Sequence, residues 1–211
     1  MKRIVSAEID ATVDRATTVV FSLAVAQGAD VVEESIDYRI DGEAIEPVEL
    51  TDALGTRLHR FDVPPGGFTA RYHAEVDGKA APAPIDELDL IRYLRPSRYC
   101  ESDRLLPTAA AEFRGLEGRA LLDAVSSWVG AELRYVPGSS APTDGAVQTL
   151  LLRQGVCRDY AHLAIALLRA LDVPARLVSV YAEAVTQMDL VARAGGGGVG
   201  GGLGVGEGGG A

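Results

Sequence analysis

The apolar residues of this chain change their period once, between residues 77 and 87, and that switch limits what can fold on either side of it. Before it, apolar and polar residues alternate at a spacing of two, as a half-buried strand requires. Ser35-Ile36-Asp37-Tyr38-Arg39-Ile40 and Arg57-Leu58-His59-Arg60-Phe61-Asp62-Val63 follow this pattern, and Asp41-Gly42 and Pro64-Pro65-Gly66-Gly67 supply turns after them. Val19 to Val25 is apolar and β-prone, and Phe68 to Val76 alternates again before Asp77-Gly78. Short strands and turns at this spacing predict a small antiparallel sandwich over residues 1–80.

Beyond the switch the period is helical. Leu121, Leu122, Val125, Trp128, Val129 and Leu133 define one apolar face. A loop over residues 137–145 leads to a short helix, Ala146 to Arg153, and then to a longer one from about Val156 to Leu171. Asp172-Val173-Pro174 ends it, because proline cannot continue a helix and restricts the residue before it. Ala175 to Tyr181 reads as a buried strand. The Pro–Ala alternation at 81–84 favours an extended, semi-rigid connection. The expected organisation is therefore a β domain at 1–80, a linker at 81–95, an α+β core at 96–190 and a tail at 191–211. From Gly195 to Ala211, 12 of 17 residues are glycine. Such a tract has maximal backbone entropy and few side chains to bury, so it is expected to be disordered.

The chain has 211 residues, 47% of them hydrophobic, enough for one good core or for a moderate core plus a small domain. Its net charge of −10 repels phosphate backbones and argues against nucleic acid as a partner. No apolar run is long enough to span a bilayer, so no membrane partner is expected. Met1-Lys2-Arg3-Ile4-Val5-Ser6 has no apolar stretch behind its charges, so the expectation is no signal peptide and a cytoplasmic protein. The two cysteines, Cys100 and Cys157, are expected to be free thiols. Three histidines and no paired Cys-x-x-Cys give no support for zinc, and no metal or cofactor is expected. Asp86-Glu87-Leu88-Asp89 is an acidic patch without ligand spacing, and the glycine tract lacks the Lys-Ser/Thr that ends a phosphate loop. Oligomeric state is left open.

Cys157 is the one candidate catalytic residue. It falls in the first turn of the longer helix, after Gly155-Val156. Unpaired N–H groups and the helix dipole at such a position stabilise a thiolate, and can also stabilise an oxyanion on an attacked carbonyl. A small buried hydrophobe is the bland alternative. The longer string decides between them. Gly155-Val156-Cys157-Arg158-Asp159-Tyr160-Ala161-His162-Leu163, continuing to Tyr181, closely resembles the transglutaminase-like superfamily, and more narrowly bacterial transglutaminase-like cysteine peptidase homologues. Tyr93 to Asp103 and Tyr135 to Ser140 are similar to other segments of those proteins. The resemblance implies a papain-like α+β core behind an N-terminal β domain. It also implies a thiol, at Cys157, that attacks an amide carbonyl of a peptide or protein and forms a thioester. In the family a histidine on a following strand is the base, and an aspartate beyond it orients that base.

Here the chain departs from the family. Met188-Asp189-Leu190 resembles the lead-in to the family histidine, but Val191-Ala192-Arg193 follows instead of His-Ala. No histidine occurs after His162 and no aspartate after Asp189. The core is therefore expected to be truncated at its C-terminal strands, with the Val173–Tyr181 strand losing neighbours and leaving a sheet edge and an apolar face exposed, and the polypeptide inactive or nearly so. A frameshift near codon 190 explains the glycines, since all glycine codons begin GG; a natural end that retains a non-catalytic peptide- or protein-binding role is the alternative. His162 is no substitute base. Five residues along a helix are about 500° of rotation and 7.5 Å of rise, so its side chain diverges from Cys157. His59 and His73 belong to the strand region. Trp128 is expected to pack in the core, Gln148 to be exposed, and Cys100 to be incidental to chemistry.

Overall fold

The computed structural model describes residues 2–79, 86–181, 191–196 and 202–204, and the chain divides into two compact units, Met1–Pro84 and Ile85–Ala211. The first is all strand: β1 (Arg3–Val13), β2 (Thr17–Phe21), β3 (Asp30–Ile40), β4 (Glu43–Ala44), β5 (Val48–Thr51), β6 (Arg57–Val63) and β7 (Gly66–Asp77). They form two antiparallel sheets, β1-β7-β3-β4 and β2-β6-β5. The alternation read from sequence sets their buried faces. Phe68, Ala70 and Tyr72 of β7 point inward, as do Phe61 and Val63 of β6, while Arg71, Arg60 and Asp62 point out. Phe21, Tyr38, Phe61 and Phe68 meet ring to ring between the sheets, with Tyr38 and Phe61 centroids 4.5 Å apart. Asp41-Gly42 forms the two-residue turn of the β3–β4 hairpin with both residues at positive φ, 48° and 85°, the conformation that favours Asp-Gly there.

Strand β1 is longer and earlier than any strand read from the sequence. Its signal was present: Val5, Ala7, Ile9, Ala11 and Val13 alternate with Ser6, Glu8, Asp10 and Thr12.

A polar chain joins the two sheets beside the aromatic cluster. Arg57 on β6 donates to Glu34 on β3 at 2.7 Å and to Glu49 on β5 at 3.0 Å. Tyr72 on β7 donates to Glu34 at 2.7 Å and accepts from the Val25 N–H at 2.8 Å. The fully buried His59 lies between Tyr38 Oη at 2.7 Å and Glu49 Oε2 at 3.0 Å. Burial pushes Glu34 up, but hydrogen bonds from Arg57 and Tyr72 outweigh it and hold it below the ordinary glutamate value. Hydrogen bonds from Arg57 and His59 lower Glu49 as well.

The second unit contains α1 (Glu87–Arg92), α2 (Ser102–Glu112), α3 (Gly118–Glu132), β8 (Arg134–Tyr135), α4 (Ala146–Leu152), β9 (Gln154–Gly155), α5 (Cys157–Ala170), β10 (Ala175–Val180), β11 (Val191–Gly196) and β12 (Gly202–Gly204). Helix α5 is central, packing against α2, α3, α4 and β10. Leu121, Leu122, Val125 and Val129 of α3 are buried against it, as the helical spacing required. Trp128 packs on Phe113, with ring centroids 5.8 Å apart, and donates to Glu112 at 3.2 Å.

Three features differ from the sequence reading. Helix α1 lies inside the stretch read as linker, with Asp86 as its N-cap accepting from Leu88 N at 2.9 Å; the acidic cluster is thus a capped helix start. The Pro–Ala alternation at 81–84 lies outside the described residues. Strand β10 is not left without neighbours: β11 pairs with it antiparallel from Ala175↔Gly196 to Val180↔Val191, and β12 pairs with β11. The expectation of a core lacking these strands is corrected accordingly, and two segments of the tail read as disordered are strands. A ladder is made by backbone N–H and C=O groups, which glycine carries like any other residue. The rest of that tail, 197–201 and 205–211, lies outside the described residues. No described helix is long and apolar enough to cross a membrane.

Arg57→Ala leaves the Glu34 and Glu49 carboxylates facing each other without their shared cation. It is expected to cost about 2 kcal/mol, discounted for the half-exposed Glu49. Because both glutamates are lowered in the folded state, their contribution is present above about pH 4.3 and is lost as pH falls through their folded values. Urea midpoints measured between neutral pH and about pH 3 should show a smaller acid-induced loss in Arg57→Ala than in the parent chain.

Candidate functional site

Cys157 is the first helical residue of α5 and is half-buried. The chain reaches it along a short parallel ladder. Arg134 pairs with Gln154 and Tyr135 with Gly155, and the Val136 N–H donates to Gly155 O at 3.1 Å. This places residues 134–136 beside the entry to α5, and the loop that follows them, 137–145, beside its first turn. Asp144 Oδ2 accepts from the Ala141 N–H at 2.8 Å, and Ser139 Oγ donates to Val136 O at 2.8 Å, which holds the loop in shape.

Two residues after Cys157 sits a buried carboxylate. Asp159 is 1% exposed. Its Oδ2 accepts from the Val156 N–H at 2.8 Å and its Oδ1 accepts from Ser140 Oγ at 2.9 Å. Arg158 donates from Nη2 to Ser140 Oγ at 2.8 Å and to Ala141 O at 2.6 Å. The loop and the helix start are therefore tied through Ser140, Arg158 and Asp159. Gly155 makes this possible: a Cβ there would lie 2.7 Å from Asp159 Cβ, so any larger residue displaces the carboxylate.

His162 lies one turn further along α5, stacked on Tyr99 with centroids 5.2 Å apart and planes at 6°. It is 8% exposed, and its Nδ1 has no partner among the described residues. Burial lowers its pKa, Asp159 opposes that shift, and Arg158 adds to it. A neutral, stacked imidazole of this kind is a packing element, as the helical offset from Cys157 indicated.

Cys100 is buried in the core, 4% exposed, and burial raises its thiol. Gln148 is exposed on α4. His59 and His73 are in the first unit, on β6 and β7. Neither Cys100 nor Cys157 is in a disulfide, and among the described residues no cluster of His, Cys, Asp and Glu could hold a metal ion. Ser140 was missed by the sequence reading. A serine inside a Pro/Gly/Ser-rich loop carries no periodic signal, and only the folded loop brings it to Asp159.

Comparison with known proteins agrees with this geometry. A model of the transglutaminase-like superfamily matches residues 110–198. The crystal structure of a candidate cysteine protease from Cytophaga hutchinsonii is 31% identical, with a TM-score of 0.79, covering 93% of this chain and 73% of that one. An uncharacterized protein of Mycobacterium leprae is 31% identical over 100 residues, 47% of this chain and 35% of its own. An uncharacterized protein of Mycobacterium tuberculosis is 42% identical over 57 residues, 27% of this chain and 18% of its own. The matches thus span about a third or less of these curated relatives. The chain belongs to the transglutaminase-like superfamily, and its second unit has the α+β fold of a transglutaminase-like cysteine protease.

Because His162 stays neutral below its ordinary value of about 6.5, the unfolded chain binds a proton there that the folded chain does not. Stability should therefore fall as pH drops below about 6.5, down to the lowered folded value. His162→Phe keeps the stack on Tyr99 and removes the titration. The gap between urea midpoints at about pH 7.5 and about pH 5.5 should narrow in that variant; an unchanged gap contradicts the assignment.

Proposed function

We propose that this chain is a transglutaminase-like domain built for amide-directed cysteine chemistry on peptide or protein substrates, with Cys157 as the nucleophile. The observation that carries the reading is the position of Cys157: a half-buried thiol at the first residue of a buried helix, beside a tied loop, inside the segment that matches the family. The likeness to a candidate cysteine protease supports it. In this reading the sulfur attacks the carbonyl carbon of an amide. The C–N bond then breaks, the nitrogen leaves as an amine carrying a proton, and a thioester remains. Water or a second amine takes the acyl group from it.

The weak step in this polypeptide is proton transfer. None of its three histidines follows His162, so no residue stands where the family places its base. Losing base and orienter together removes most of a triad's rate, by factors of roughly 10⁴ to 10⁶. The 211-residue chain is accordingly a reactive thiol with little or no turnover. Two cysteines outside any disulfide support a reducing compartment, and the cytoplasm is the compartment we assign.

Iodoacetamide labelling followed by peptide mass analysis tests the reading. Native Cys157 should be alkylated well before Cys100, hydrolysis of a fluorogenic peptide amide should stay near background, and any residue of it should vanish in Cys157→Ala. Labelling of Cys157 only when Cys100 also labels makes it a buried, inert cysteine. Hydrolysis that survives Cys157→Ala removes the thiol from the mechanism. Saturable peptide binding without turnover in either form favours the non-catalytic binding module.

A further inference from the structure

Helix α5 starts at a residue that is poorly suited to start a helix. Val156 occupies the N-cap, where Ser, Thr, Asp or Asn normally accepts a first-turn N–H, and it makes no side-chain capping bond. A valine there forgoes the stabilisation that a capping side chain gives a helix start. The helix start is held from the opposite direction instead. Asp159, at the third helical position, turns its carboxylate back onto the Val156 N–H at 2.8 Å, and its own N–H donates to Val156 O at 2.8 Å. The same carboxylate takes the hydroxyl of Ser140 at 2.9 Å. A carboxylate this deeply buried has no water to fall back on, so both bonds are needed to offset its burial.

We propose that Asp159 is a positioning residue for Cys157. By holding the N-cap residue and the 137–145 loop at once, it fixes the first turn of α5 under the sulfur. Gly155 belongs to the same device, since it gives the carboxylate its space. The inference rests on Cys157 being the nucleophile. It adds a division of labour, in which one carboxylate supplies the stability at the helix start that a capping side chain would otherwise supply.

The two buried environments in the second unit make the test internally controlled. Cys100 is in the core and reports global unfolding, while Cys157 reports the site. The experiment follows iodoacetamide labelling of both cysteines across pH in the full chain, in Asp159→Ala, in Asp159→Asn and in Ser140→Ala. Asp159→Ala should shift the Cys157 pH–rate profile toward that of the urea-unfolded chain and slow labelling at neutral pH roughly tenfold, the scale of a helix-terminus effect, while Cys100 stays protected. Asp159→Asn keeps an oxygen for the Val156 N–H and an amide for Ser140, and should restore the parent profile to within about twofold. Ser140→Ala removes one of the two bonds and should give an intermediate shift. If Asp159→Ala does not fold, shown by rapid labelling of Cys100, the comparison of Ser140→Ala and Asp159→Asn with the parent decides. A parent-like Cys157 profile in folded Asp159→Ala or in folded Ser140→Ala overturns the proposal, as does an Asp159→Asn profile as displaced as that of the alanine variant. A Cys157 that is already inert in the parent chain overturns instead the nucleophile assignment beneath it.

Discussion

Ten consecutive residues of α5, Asp159 to Leu168, are buried, and the rest of the second unit is arranged to enclose them. A helix buried all round cannot shelter itself with one apolar face. It needs neighbours on every side, and α2, α3, α4 and β10 supply them. Leu163, Ile165, Leu167 and Leu168 each lose almost all contact with water; at about 2 kcal/mol per side chain, the enclosure of this one helix dominates the unit's stability. Cys157 is where that helix emerges. Its half-buried side chain lies at the start of that buried helix.

The two units solve different problems. The first has a modest aromatic core between its sheets and adds a polar chain, from Tyr38 through His59, Glu49, Arg57 and Glu34 to Tyr72. Apolar packing sets the separation of the sheets, whereas hydrogen bonds with fixed partners also set their register. The second unit places a buried carboxylate at the start of α5, where Asp159 serves helix and loop together.

Much of this was legible in the sequence where a period was sustained. The β6 alternation was read to its observed ends, α5 and β10 were placed within a residue by apolar spacing and by the proline at 174, and the apolar face of α3 was read without its ends. Helix α2 was not read. Its buried residues, Leu105 and Ala109, are joined by Phe113 just past its end at a spacing of four, but Pro107 inside the helix and three consecutive alanines obscure the pattern. Strand β1 was overlooked because its apolar side includes two alanines and its start was read only for a leader. Strands β11 and β12 run through glycine-rich sequence that carries no side-chain pattern, so only backbone pairing identifies them. At the site, Cys157 and Gly155 were legible from a motif. The bond from Ser140 to Asp159 spans 19 residues and depends on a loop conformation that no local pattern encodes.

The proposal stands or falls on whether the sulfur of Cys157, at the start of a buried helix, is an acyl acceptor whose deacylation is unassisted. Incubating the native chain with p-nitrophenyl acetate and determining the intact mass and the modified peptide over time tests this most directly. The account predicts a single acetyl group on Cys157, formed faster than on a free cysteine at the same pH and persisting because deacylation is unassisted. Acetylation no faster than that of free cysteine, or placed on residues other than Cys157, would contradict it.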